Sequence, residues 1–183
     1  VRDVAFSPDG TRVVSGGDNE ELFLWDTGSG TIIRQINTGV DSAVTITSVS
    51  YSVDGSRIIA GDDIGVLRVW DTMTQVLSTF VVAEDDTDGF TVSINDMDPN
   101  PVDPTRVLIG LSDSTAEIYD LNNIMAGPVA TFTDIEQSSL RAVAYSPTGD
   151  MIAAGKGNGS VAVWDVATRT LMLNFEGHTN RIN

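Results

Sequence analysis

Apolar and polar residues alternate with a period of two along most of this 183-residue chain. This alternation is typical of half-buried β-strands, and no segment shows the apolar spacing of an amphipathic helix. Turn-forming residues divide the pattern into short runs that fall into four groups of four. The predicted strands are 1–6, 12–15, 21–25 and 31–36; 46–51, 57–60, 66–70 and 76–82; 91–96, 106–109, 115–119 and 128–132; 140–145, 151–154, 160–164 and 170–175. The sequence therefore predicts an all-β chain of four-stranded antiparallel units.

The four groups are copies of one repeat. An aromatic residue followed by aspartate ends the third strand of each group, and these pairs are 45, 49 and 45 residues apart. A glycine lies nine residues before each aromatic residue, and a polar turn begins eighteen residues before it. The pairs are Trp25-Asp26, Trp70-Asp71, Tyr119-Asp120 and Trp164-Asp165; the glycines are Gly16, Gly61, Gly110 and Gly155; the turns begin at Ser7, Ser52, Pro101 and Ser146. Because these features recur in one register, they indicate a true repeat.

The repeated residues have a structural interpretation. In the third strands, the apolar residues just before the aromatic residue alternate with it, so they point to opposite faces of the unit. Both faces need apolar surface if each unit packs between two others. A glycine in the second strand marks a place where a side chain would obstruct that packing. We therefore interpret the aromatic–aspartate pairs and the glycines as structural residues and not as parts of an active site.

A repeat of this length with Trp-Asp closing its third strand resembles the WD40-repeat β-propeller family. The resemblance extends over the whole chain and includes Gly177-His178 near its end. It implies that each unit is a blade whose first strand lines a central channel. The blades would be residues 1–39, 40–90, 91–134 and 135–176, with the start of a fifth blade at 177–183. The resemblance implies part of a seven- or eight-bladed propeller, completed by further blades of the same chain or an associated copy; a closed ring of four is the remaining alternative.

The chain departs from the hydrogen-bonded network of strong repeats of this family. That network joins the Trp to a Ser or Thr of the second strand, an Asp of the next turn and a His. We assign the Ser or Thr position to residues that are neither: Gly17, Asp62, Leu111 and Lys156. The sequence therefore predicts divergent blades, none with the complete network, held together mainly by packing.

Charge excludes one class of partner. The chain has 10 basic and 26 acidic residues, a net charge of −16, and Lys156 as its single lysine. A protein that binds a phosphate backbone needs a basic face, so we expect no direct contact with nucleic acid. No apolar run is long enough to span a bilayer, and the absence of cysteine removes disulfides and thiolate sites. A basic protein segment is the complementary partner.

One acidic segment carries a weak likeness to a calcium loop. Glu84, Asp86 and Asp88 occupy its first, third and fifth positions, but the twelfth is Asn95 where the motif needs Glu. We interpret the segment as a solvated loop and keep a calcium site as the alternative.

Catalysis would need paired acid–base groups, and the single histidine, His178, lies at the end of the chain. The sequence predicts no enzymatic activity and no cofactor.

Binding is the function that the resemblance implies. In the family, partners dock on the face that carries the loops between second and third strands and between successive blades. The prediction is a non-catalytic protein-interaction scaffold or regulatory module in the cytoplasm, part of a larger protein or complex. The alternative is a ligand- or calcium-binding propeller, including an extracytoplasmic one. The candidate partner-binding residues are Asp41, Asp62, Asp63, Asp85, Asp86, Asp113, Lys156, Asn158 and His178.

Overall fold

A computed structural model describes residues 1–18, 21–38, 44–83, 91–133 and 137–178. It contains sixteen strands within these ranges and a single 3₁₀ turn, Ile124–Ala126. The strands are β1 Asp3–Phe6, β2 Arg12–Gly16, β3 Glu21–Asp26, β4 Ile32–Asn37, β5 Ile46–Tyr51, β6 Arg57–Asp62, β7 Val66–Asp71, β8 Leu77–Val81, β9 Ile94–Pro99, β10 Arg106–Leu111, β11 Thr115–Asp120, β12 Ala130–Thr133, β13 Leu140–Tyr145, β14 Met151–Lys156, β15 Ser160–Asp165 and β16 Leu171–Glu176. The predicted all-β architecture is confirmed.

Each consecutive set of four strands forms one antiparallel sheet, in the order of the chain. We number the sheets 1 to 4. Most strands lie within two residues of their predicted bounds, but β9 begins three residues later than predicted. The strand ends at Pro99, which pairs with Val107. Asn100 then closes the turn, because its side-chain oxygen accepts hydrogen bonds from the backbone of Val102 and Asp103, both at 2.9 Å. The turn therefore begins at Asn100, one residue before the predicted start at Pro101.

The four sheets form an open row. Their first strands contact one another in sequence, β1 with β5, β5 with β9 and β9 with β13. Three apolar cores fill the spaces between neighbouring sheets. The row is not closed into a ring, and the outer faces of sheets 1 and 4 carry large exposed apolar side chains.

The faces of each sheet follow the predicted alternation. Leu22 and Leu24 of β3 are buried against sheet 2, whereas Trp70 of β7 is buried in the same core from the other side. Tyr119 and Trp164 also face the preceding sheet. Trp25 is only half-buried because sheet 1 has no sheet before it among the described residues. The residue alternation along β3, β7, β11 and β15 therefore decides which sheet contacts which face.

The repeated glycines lie where successive sheets approach most closely. A Cβ atom on Gly16 would lie 2.6 Å from Cγ2 of Ile46, and one on Gly61 would lie 2.5 Å from Cγ2 of Ile94. A Cβ on Gly110 would lie 2.6 Å from Cγ1 of Val143. Real Cβ atoms do not approach a neighbour so closely. Each of these three glycines thus makes room for the first strand of the following sheet.

Candidate functional site

The loops of an antiparallel sheet lie at its two ends, and here the ends differ. The connections between second and third strands, together with those between sheets, lie at one end, which we call the loop face. The turns between first and second strands and between third and fourth strands lie at the other, the turn face. Both assignments follow directly from the strand order.

Three candidate residues are exposed on the loop face. Asp113 is exposed and its carboxylate accepts hydrogen bonds from the backbone nitrogen and hydroxyl of Thr115, at 3.0 and 2.6 Å. Asn158 is exposed and caps its own turn in the same way, through Ser160. His178 is exposed beside Asn158, and both line the same small cavity. Asp113 and Asn158 thus stabilise their own turns, and all three side chains remain exposed to solvent.

Asp63 is half-buried on this face, and its carboxylate accepts a hydrogen bond from the backbone nitrogen of Thr45 at 3.0 Å. Asp18, which the sequence reasoning did not single out, is exposed here and pairs with Arg2 at 3.0 Å. Asp63, Arg2 and the polar residues Thr45, Thr47 and Asn95 line a cavity of about 380 Å³. The loop face therefore combines acidic loops with a polar depression.

The prediction that Asp62 belongs to this exposed set is wrong. Its side chain is fully buried and forms an ion pair with Arg68, which is 4% exposed. Its other carboxylate oxygen accepts backbone hydrogen bonds from Ile64 and Val66, at 3.0 and 2.8 Å. Arg68 neutralises the charge of Asp62 inside the sheet. Asp62 therefore positions the β6–β7 loop and presents no charge to solvent.

Lys156 is a second correction. The side chain of this lysine is completely buried, and Nζ donates a hydrogen bond to Oδ1 of Asn174 at 3.1 Å. It occupies the same repeat position as Asp62, at the end of the second strand. A charge at this position turns inward toward its own sheet, so Lys156 is not a surface base.

The remaining candidates lie outside the described residues. These are Asp41, Asp85 and Asp86, together with the calcium candidates Glu84 and Asp88. Their partner-binding and calcium roles stay predictions. Within the part of the chain that the structure describes, no group of three or more acidic or histidine side chains is arranged to hold a metal ion.

The turn face is also rich in aspartate, and some of its aspartates lie opposite arginines. In sheets 1 to 3 the aspartate after the aromatic residue lies opposite an arginine on the neighbouring strand, as in the pairs of Arg12 with Asp26 and Arg57 with Asp71, whereas in sheet 4 Asp165 lies opposite Met151. Arg106 and Asp120 form an ion pair of 2.7 Å. Such pairs hold much of the negative charge of this end close to a positive one.

Local hydrogen bonds explain why the turn face uses aspartate. The Asp9 carboxylate accepts hydrogen bonds from the hydroxyl of Ser7 and from the backbone and hydroxyl of Thr11, at 2.6 to 3.0 Å. These bonds, with that of Ser7 the largest cause, lower the pKa of Asp9 to about 2. Asp165 closes the β15–β16 turn similarly through Thr168, which lowers the pKa of its carboxyl. These aspartates are turn residues.

Carboxylates also join the first strands of neighbouring sheets, a feature that sequence reasoning missed. Asp3 accepts a hydrogen bond from the backbone nitrogen of Val49 at 2.7 Å, and Asp96 accepts one from Val143 at 2.8 Å. Burial raises the pKa of Asp96 despite this bond, and the negative charge of Asp3 raises it further. The links join the first strands of neighbouring sheets and fix the relative positions of those sheets.

One part of the tetrad prediction is wrong. Nε1 of Trp25 donates a hydrogen bond to Oγ of Ser15 at 2.9 Å. Ser15 is ten residues before the Trp, not eight. Trp25 pairs with Val13 on the adjacent strand, and Ser15 is the next residue on the same face, whereas Gly17 lies beyond the end of β2. The equivalent residues of the other sheets are Ala60, Ile109 and Ala154, which have no hydroxyl. Sheet 1 thus keeps a Trp–Ser contact that the sequence reasoning denied.

A profile of the family described as "WD domain, G-beta repeat" matches residues 1–26, 33–71 and 127–165, together more than half of the chain. The chain belongs to the WD40-repeat family. Two of the matched segments begin at the fourth strand of one sheet and end with the third strand of the next. The matches omit residues 72–126, where sheet 3 has Tyr119 in place of Trp. The predicted family and β-propeller blades are confirmed.

A curated relative is the "U3 small nucleolar RNA-associated protein 15 homolog" of Gallus gallus. It is 29% identical over 91 residues, which are 50% of this chain and 17% of the relative. The chain thus spans a small part of that protein.

Among the described residues of our chain, no helix is long and apolar enough to cross a membrane.

Proposed function

We propose that this WD40 chain is a non-catalytic interaction module whose loop face binds a basic segment of a partner protein. WD40 repeats generally mediate protein–protein interaction and are typically non-catalytic. The class of partner and the position of the contact are inferred from the arrangement of charge.

The exposed negative charge of the loop face carries the proposal. On the turn face, Arg12, Arg57 and Arg106 lie opposite aspartates on the neighbouring strands. On the loop face, Asp113 is exposed without an ion pair to any residue in the described ranges, and the expected base Lys156 is buried. Asp113 therefore gives the loop face an exposed negative charge that no ion pair among the described residues neutralises. Exposed charges of this kind accelerate the approach of an oppositely charged partner.

The name of the Gallus gallus relative refers to RNA, and this bears on the proposal. A chain with net charge −16 repels a phosphate backbone. If the chain enters an RNA-containing assembly, we propose that it does so through a protein, not through RNA. Cytoplasmic localisation stays a prediction of the sequence.

The test uses a labelled arginine-rich peptide of about 12 residues as the probe, with an RNA of similar length beside it. Its association rate with the chain is measured by stopped-flow fluorescence at several salt concentrations. We expect the rate to fall as salt rises, because screening shortens the range of the attraction. We expect no binding of the RNA. The loop-face variant combines Asp18→Asn, Asp63→Asn and Asp113→Asn, which remove the charge and retain a side-chain oxygen as a hydrogen-bond acceptor.

A matched variant neutralises three exposed aspartates of the turn face, which also cap turns: Asp9→Asn, Asp54→Asn and Asp150→Asn. Both variants change the net charge by the same amount, so only the position differs. The proposal expects a slower rate and a weaker salt dependence in the loop-face variant alone. Equal losses in both variants would show that net charge is sufficient, and RNA binding by the wild-type chain would also contradict the proposal.

A further inference from the structure

A cavity of about 280 Å³ lies on the turn face, between sheets 1 and 2. It is smaller than the roughly 300–1,000 Å³ of most small-molecule sites, and this size suits a single polar side chain. Both of its walls are formed by turns and strand ends of the described residues. The lining residues are Ser7, Pro8, Asp9, Arg12, Tyr51, Asp54, Gly55 and Thr72.

The hydroxyl of Tyr51 is an unpartnered polar group at this cavity. Tyr51 is 6% exposed, and its oxygen forms no hydrogen bond with any residue in the described ranges. Burial raises the pKa of Tyr51 to about 12, and the charges of Arg12 and Asp9 act on the phenol from the walls of the cavity. At neutral pH the group is therefore a neutral hydroxyl with a hydrogen bond to donate. A buried polar group without a partner is unfavourable, so an occupant that accepts this bond is favoured.

The charged residues around the hydroxyl offer a donor and two acceptors. The guanidinium of Arg12 forms no ion pair or hydrogen bond with a described residue, unlike that of Arg106, which pairs with Asp120 at 2.7 Å. The Asp9 carboxylate uses Oδ1 for the hydrogen bonds of its turn, and Asp54 does the same in the equivalent turn of sheet 2. The Oδ2 atoms of both aspartates accept none from the described residues.

An occupant must suit both kinds of group. A carboxylate or phosphate would accept the hydrogen bond of Tyr51, but Asp9 and Asp54 would repel it. A guanidinium or ammonium group has no acceptor for Tyr51, and Arg12 would repel it. A primary carboxamide is neutral, and it has an oxygen that accepts hydrogen bonds and a nitrogen that donates two. It therefore satisfies the hydroxyl and the carboxylates together.

The repeat places such a group in the equivalent cleft between sheets 3 and 4. There Asn100 takes the position of Ser7, because the backbone nitrogen of each donates to the carbonyl of the arginine that begins the second strand. Asn100 is 7% exposed, and a Cβ on Gly149 would lie 3.1 Å from its Nδ2. Burial raises the pKa of Tyr145, the equivalent of Tyr51, to about 12, and the amide of Asn100 opposes this increase. The chain itself thus fills this cleft with a carboxamide.

The cleft between sheets 1 and 2 is wider because Ser7 has a shorter side chain. Its hydroxyl donates to Oδ1 of Asp9 at 2.6 Å and stays within the first turn. A Cβ on the turn glycine Gly55 would meet nothing nearer than Cδ of Pro8, at 3.4 Å. Among the lining residues of this cleft, none supplies the amide that Asn100 supplies between sheets 3 and 4.

We propose that the cleft between sheets 1 and 2 binds the side-chain carboxamide of an asparagine or glutamine of a partner protein. The carboxamide oxygen accepts hydrogen bonds from Tyr51 and Arg12. The carboxamide nitrogen donates to Oδ2 of Asp9 and of Asp54. A protein side chain is the source that the repeat itself uses in the equivalent cleft. The site lies at the opposite end of the strands from the loop face, so it does not depend on the basic segment proposed there.

Three small probes of one planar shape test which group binds. Acetamide, acetate and acetamidinium differ in charge and in their hydrogen-bonding atoms. Each is titrated into the isotope-labelled chain while the backbone amide signals of Gly55 and Thr72 are followed by NMR. We expect saturable shifts with acetamide, and binding about tenfold or more tighter than that of either ion, because each ion is repelled by part of the site. Equal binding of the three probes, tighter binding of either ion, or no saturable shift with acetamide would overturn the proposal.

A pair of tyrosine variants tests the hydroxyl. Tyr51→Phe removes the hydroxyl and keeps the ring, so it should weaken acetamide binding about three- to tenfold. Its unfolding midpoint should be unchanged or higher, because the lost group has no partner in the chain. Tyr145→Phe, the matched control between sheets 3 and 4, should leave acetamide binding unchanged. The proposal fails if Tyr51→Phe binds acetamide as the wild-type chain does, or if the two variants lose affinity equally.

Two forms of glutamine test the source of the carboxamide. Glutamine with an acetylated amino group and a methylamide at its carboxyl end resembles a residue within a protein. We expect it to bind more tightly than free glutamine, whose carboxylate would be repelled by Asp9 and Asp54. Tighter binding of free glutamine would overturn the assignment to a partner protein.

Discussion

Gly110→Ala is expected to destabilise the chain because it places a methyl group in the interface between sheets 3 and 4. The new Cβ would lie 2.6 Å from Cγ1 of Val143, and Val143 is 7% exposed and packed in a core. Forcing an extra methyl group into a packed core costs about 1–3 kcal/mol. Removing a glycine restricts the unfolded chain and returns about 0.4–1 kcal/mol. We expect a net loss of about 1–2 kcal/mol in the free energy of unfolding.

The partner substitution gives the magnitude of the coupling. Val143→Ala removes two buried methyl groups, which lowers the free energy of unfolding by about 2 kcal/mol including the cavity. Independent effects would add to about 3–4 kcal/mol in the double variant. Because Val143→Ala removes the atom that the new methyl group meets, we expect the double variant to lose only about 1–2 kcal/mol. The coupling energy is then about 2 kcal/mol.

Urea unfolding is measured at one protein concentration for the wild-type chain, the two single variants and the double variant. The midpoint and slope of each curve give the free energy of unfolding. Gly28→Ala is the matched control, because the nearest atom to its Cβ would be Oδ1 of Asp26 at an ordinary 3.5 Å. It should be neutral or slightly stabilising. Additivity within about 0.5 kcal/mol would show that Gly110 and Val143 do not compete for the same space, and would refute the explanation of the repeated glycine.

Two further predictions concern charge. Arg68→Met leaves the fully buried Asp62 unpaired and should cost about 3–5 kcal/mol in urea unfolding, whereas Arg68→Met with Asp62→Asn should recover much of the loss; equal losses would contradict the ion pair. Burial raises the pKa of Asp96 and of Asp98, so the folded state binds their protons more readily and stability should rise as pH falls from 7 toward about 4. Asp9, with its pKa lowered to about 2, contributes stability above about pH 4 that is lost as pH falls through 2. Unfolding midpoints across this range should show the maximum, and Asp96→Asn with Asp98→Asn should remove the rise on its neutral side; an unchanged rise would assign it to other groups.

The sequence by itself determined the strands, their grouping into sheets and the faces of the third strands. These features depend on short-range rules, because alternation decides which side a residue faces and turn residues end a strand within a few positions. The structural roles of Trp70 and Gly61 followed from their positions in the repeat alone. Trp70 needs apolar neighbours that cover its ring, and Gly61 lies where there is no space for a side chain. The exposed positions of Asp113 and Asn158 followed from turn chemistry.

Only the tertiary structure decided where the other charges lie. Asp62 and Lys156 occupy loop-like positions in the sequence, yet both are buried, because Arg68 on the neighbouring strand and Asn174 two strands away supply partners inside the sheet. The Trp25–Ser15 bond depends on which residues share a face across two strands. Burial of a charged side chain depends on what lies opposite it in space, and the local sequence does not contain that information.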